Sequence, residues 1–156
     1  MPTTITTRTS ICEEALAQAL EQIASLGATP FTDLPPAPSC TVLATLAFAG
    51  PYSGVVELLA PWALAELLAR NVRPQAHGNR PRRAPDALKE LLNLACSILF
   101  ARLSQESDPF EIAVAGIVTA EQSTDWDMFV SHPGTILLDA DGIPVALRLI
   151  TCSELA

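Results

Sequence analysis

DALKELLNLACSILF, residues 86–100, has the leucine and alanine content of a core helix, yet it keeps Asp86, Glu90 and Asn93. At about 100° per residue, positions 90, 93 and 97 fall about 40°, −20° and 20° from position 86, so Asp86, Glu90, Asn93 and Ser97 form one narrow polar stripe. Leu88, Leu91, Leu92, Ala95, Ile98 and Leu99 take the opposite side. The spacing predicts a helix from about Pro85 to about Leu103, packed by one face and showing a carboxylate beside a carboxamide on the other. Asn costs roughly half a kcal/mol or more against Ala inside a helix, so propensity does not account for Asn93. Two readings stand. A wet helix face carries polar residues in any case, and a Glu/Asn pair at i, i+3 is ordinary there. Asp86 alone suits the positive end of the helix dipole. Against this, Leu94 and Phe100 flank the stripe and give it the apolar borders of a docking surface.

The segment before this helix, VRPQAHGNRPRRAP, combines prolines, a glycine and arginines, and predicts an exposed loop over about 71–85. Arg70, Arg73, Arg80, Arg82 and Arg83, five of the nine basic residues, lie within fourteen positions. The chain as a whole is nonetheless acidic: 17 Asp and Glu against 9 Lys and Arg give a net charge of −8. That balance excludes nucleic acid as the principal partner, because phosphate neutralisation needs clustered cations over a whole face. The arginine patch, Arg82 and Arg83 above all, suits an acidic protein surface instead; a solvated loop with no partner is the alternative.

Further from the helix, SICEEALAQALEQIASLG predicts a first helix over about 10–26, with Ser10 as cap, two early glutamates and Gly27 as stop. A proline-rich connector leads to two strands, CTVLATLAFAG and VVELLA, which the turn GPYSG joins as a hairpin. Pro61 opens a second helix, PWALAELLARN. FEIAVAGIVTA reads as a strand, and TILLDADGIPVALRLI as a hairpin turning at Asp141 and Gly142. EQSTDWDMFVSHP between them reads as a short strand or edge. Its Trp126 and Phe129 either cap the open end of the core or form a sticky edge that supports dimerisation. Hairpins outnumber crossovers, so the expected fold is α+β: a largely antiparallel sheet with about three helices packed on it, in one domain spanning 1–156.

Composition sets further bounds. Mean hydropathy is +0.33, but no run of about 18 uninterrupted apolar residues is present to span a bilayer. The start, MPTTITTRTS, lacks the basic-then-apolar order of a secretory signal, so a cytoplasmic location is expected. Four scattered cysteines, Cys12, Cys40, Cys96 and Cys152, form no CxxC pair and read as reduced, mostly buried thiols with no metal role. His77 and His132 stand apart from carboxylates and thiols in sequence and read as surface residues. GPYSG lacks GxSxG spacing, and no GxxxxGK[ST] or GxGxxG occurs.

The order of elements over roughly residues 40–150, with Asp86, Glu90 and Asn93 on one helix, resembles the CheC/CheX-type chemotaxis phosphatases. Their signature is Asp or Ser, three residues, Glu, two residues, Asn. The single motif is closer to the CheX-like subgroup, since the first helix offers only Ser10 and Glu14, with Ala17 where a second asparagine would stand. The resemblance implies removal of the phosphoryl group from the aspartyl phosphate of a CheY-type response regulator. Asn93 would orient the attacking water and Glu90 would pair with the regulator's active-site lysine. Asp86, Ser97, Arg82 and Arg83 would serve as partner contacts. No cofactor of its own is implied, Mg2+ belonging to the regulator, and a homodimer is expected. The alternative is a non-catalytic CheX-like module that binds response regulators or a signalling or flagellar assembly. Cys96 departs from the small residue, often glycine, that the family carries three positions after the asparagine.

Overall fold

The computed structural model describes residues 5–31, 33–71, 84–104, 108–113, 116–119 and 126–152. Arg82, Arg83 and His77, with most of the arginine-rich segment, lie outside them. In chain order the elements are α1 (Ile5–Ala24), β1 (Ala28–Pro30), β2 (Thr41–Ala49), β3 (Gly54–Pro61), α2 (Trp62–Asn71), α3 (Ala84–Leu103), β4 (Glu111–Ile112), β5 (Gly116–Thr119), α4 (Trp126–Ser131), β6 (Thr135–Ala140) and β7 (Ile143–Thr151). The fold class is α+β, as expected. All described strand pairs are antiparallel, in the order β1-β6-β7-β3-β2-β4, with β5 on the same edge of β2 as β4.

Alternation along the strands sorts the two faces of the sheet. Val42, Ala44, Leu46 and Phe48 of β2, Val56, Leu58 and Ala60 of β3, and Val145, Leu147 and Leu149 of β7 join the main core with α1, α2 and α3. The intervening positions Leu43, Leu59 and Ala146 make a second, smaller core with Trp126 and Phe129. The helix α4 therefore lies on the face opposite the other three.

That placement corrects the expected strand or edge in EQSTDWDMFVSHP: its described part is a helical turn and a half, with Trp126 and Phe129 at 4% and 2% exposure. The pair closes the core and forms no sticky edge. A short aromatic run has no period that separates helix from strand, and the cover it provides for Leu43 and Leu59 decides the outcome. A second correction concerns α1, which starts before Ser10. Serine inside a helix costs only a fraction of a kcal/mol against alanine, too little to halt it. Its end is also not at Gly27. Ser25 takes φ 55°, its N–H donates to Glu21 O at 3.0 Å and Leu26 N–H to Leu20 O at 3.2 Å. Serine thus occupies the left-handed cap position that glycine more often fills.

The β6–β7 hairpin turns at Asp141 and Gly142, with φ 53° and 86°. Two successive positive values match the twist of the flanking strands, and Asp139 Oδ1 accepts from Gly142 N–H at 2.6 Å. The strand expected in FEIAVAGIVTA is present as β4 and β5. All four cysteines are free; Cys12 and Cys96 are buried, whereas Cys40 and Cys152 are exposed, so only half of them follow the expected burial.

Candidate functional site

Nine residues of α3 are buried: Ala87, Leu88, Leu91, Leu92, Ala95, Cys96, Leu99, Phe100 and Leu103. Their spacing covers more than half of the helix circumference, which is why α3 is fixed against α1, α2 and the sheet. No member of the polar stripe is among them. Asp86 and Ser97 are exposed, and Glu90 and Asn93 are half-buried. The stripe runs along the side of α3 that the core leaves open.

Local contacts steady this stripe. Ser97 donates through Oγ to the main-chain carbonyl of Asn93 at 2.9 Å, a back-bond one turn long that engages a side chain otherwise read as a partner contact. Asp86, in the first turn, faces Lys89 with Oδ1 and Nζ 3.8 Å apart. At that distance and exposure the pair contributes little to stability. The carboxylate remains suited to the helix start and to a rim contact.

Phe100 does not border the stripe. It is 4% exposed and stacks at 4.8 Å on Phe48 and 5.0 Å on Phe110, with Tyr52 closing the group against Phe48 and Phe110. Leu94, half-buried against the core, is the apolar flank the stripe retains. Sequence periodicity placed Phe100 near the stripe, but its two aromatic partners, Phe48 and Phe110, lie at least ten residues away along the chain and turn it inward. Cys96 is fully buried, its thiol pushed up by loss of water and by the neighbouring Cys12. Cys96 is thus part of the α1–α3 contact.

An open antiparallel sheet, three helices on one face, and a single polar stripe on the third of them set the comparison. CheX from Vibrio vulnificus matches with a TM-score of 0.68 over 92% of this chain and 98% of its own, at 13% sequence identity. The fold is that of CheX. A CheX from Desulfovibrio desulfuricans matches equally, at 0.68 and 12% identity over 92% and 98% of the two chains. The CheX–CheY–BeF3–Mg2+ complex from Borrelia burgdorferi gives 0.64 and 13% identity over 91% and 96%. No family model matches the sequence, and no curated protein matches it either.

On this CheX-like fold, α1 offers no counterpart to the stripe. Glu14 is ion-paired with Arg102 of α3, and Ala17 packs half-buried on the core. Among the described residues, no group of three or more His, Cys, Asp and Glu is placed to hold a metal ion, and no helix is long and apolar enough to cross a membrane.

Proposed function

We propose that the protein is a phosphatase for the aspartyl phosphate of a CheY-type response regulator, with Asn93 and Glu90 as the working pair. The observation that carries this reading is the exclusion of Glu90 and Asn93 from the buried face of α3 on a CheX-like fold. Phosphoryl transfer asks a protein mainly for positioning and charge stabilisation. A carboxamide has a donor and an acceptor end, so Asn93 can hold a water in line with phosphorus once inserted into the regulator. Glu90 would pair with a regulator lysine and fix the register, a charge-assisted contact that strengthens as water is excluded. Asp86, Ser97, Arg82 and Arg83 would complete the contact surface. The Mg2+ would be held by the regulator. The Borrelia burgdorferi match supports a partner of this type, since it is a complex of CheX with CheY, BeF3 and Mg2+, and BeF3 is a general stand-in for a phosphoryl group. A homodimer is proposed by analogy with the CheX-like subgroup that the motif resembles.

The half-burial of Asn93 favours a second reading: a module that docks the phosphorylated regulator, or a signalling or flagellar assembly, without hydrolysis. One experiment separates the two. Phosphorylated CheY-type receiver domains are followed with and without the protein, and binding of the BeF3-loaded receivers is measured alongside. Binding with accelerated decay supports the phosphatase. Binding with unchanged decay supports the module, and neither effect with any receiver removes both.

A further inference from the structure

Between the first turns of α1 and the segment joining α4 to β6 lies a cavity of about 220 Å3. Cys12 and Leu149, which line it, are 2% and 6% exposed and belong to the main core; Pro133 adds a further apolar wall. Its polar lining includes Arg8 and His132, both half-buried. Arg8 lines the cavity beside Cys12, and its charge partly offsets the effect of burial on that thiol. His132 is held by its own loop: Gly134 N–H donates to its Nδ1 at 3.1 Å. In the neutral ring the proton then sits on Nε2, which becomes a donor.

An apolar chamber with a guanidinium and an imidazole donor in its wall has a definite preference. Apolar lining selects a small hydrocarbon body, and a cavity of about 150 Å3 already takes up benzene. The extra volume here fits one head group. Guanidinium pairs best with a planar carboxylate, which it meets with two parallel hydrogen bonds. The chain's net charge of −8 repels anions in general, so an anion that binds here does so through local contacts.

We propose that this cavity binds a small monocarboxylate, its ring or short chain against Cys12, Leu149 and Pro133 and its carboxylate on Arg8, with His132 Nε2 as second donor. The site does not depend on the reading of α3.

The test is an NMR titration of the full chain with benzoate and, in parallel, with the uncharged benzamide. Benzoate is expected to shift the amides of Cys12, His132 and Gly134 saturably, with a dissociation constant on the order of 1 mM or tighter. Benzamide should bind at least about tenfold more weakly, and Arg8→Gln should weaken benzoate by a similar factor. Absence of saturable shifts, equal binding of the two ligands, or benzoate binding indifferent to Arg8→Gln would overturn the proposal. Should that variant fail to fold, the comparison of ligands on the wild-type protein decides alone.

Discussion

Arg148 on β7 stands in register with Glu57 on β3, and its Nε donates to Glu57 Oε1 at 2.8 Å. Both side chains are largely shielded, at 21% and 15% exposure, and the guanidinium also lies 4.1 Å over the Phe129 ring. One arginine thus ties two central strands to α4. Arg148→Ala is expected to cost about 2–3 kcal/mol, because it strips the cation from the ring and leaves a shielded carboxylate unpaired. Glu57→Gln should cost about 1 kcal/mol, since the amide still accepts a hydrogen bond. Urea denaturation of both variants and the double variant checks this; additive losses would mean that the pair is not coupled.

The aromatic group of Phe48, Tyr52, Phe100 and Phe110 anchors the far end of α3 to β2. Phe100→Ala should lower stability by about 3–5 kcal/mol, the range for a large buried side chain cut to a methyl. A loss under about 1 kcal/mol in thermal or urea unfolding would contradict the inward position of this ring.

Burial raises the Cys12 thiol from 9.0 to about 12 and Cys96 further still. The unfolded chain therefore releases these protons first, so their contribution to stability is whole below about pH 9 and declines as pH rises toward 12. Unfolding free energy measured across that window should fall, and less so in a Cys12→Ala, Cys96→Ala variant. In the native state an alkylating reagent should modify Cys40 and Cys152 quickly and the buried pair slowly. Uniform reaction of all four thiols would argue against the α1–α3 packing described.

Much of this fold was legible because its periodic signals are local. The apolar face of α3 and the Asp141–Gly142 turn follow from spacing and from two residues that tolerate positive φ. What was not legible depends on contacts distant in sequence. Phe100 sits close to the stripe on a helical wheel, and only Phe48 and Phe110 reveal that it points inward. Trp126 and Phe129 look equally at home in a strand until Leu43, Leu59 and Ala146 appear beneath them. Ser25 carries no glycine-like mark of a helix end. At the site, the open placement of Glu90 and Asn93 could be read from period alone, whereas the back-bond from Ser97 could not. The small cavity beside Arg8 joins α1 to a loop more than a hundred residues on, and no motif announces it.

The carboxamide of Asn93 is the group on which the proposed chemistry turns. The decisive measurement is the decay rate of a phosphorylated cognate receiver with wild-type protein and with Asn93→Ala, each checked for an unchanged unfolding midpoint. The expected result is a loss of acceleration of about 100-fold or more with the fold intact, because a water no longer held in line forfeits the positioning on which the reaction relies. Undiminished acceleration by a folded Asn93→Ala protein would contradict the account.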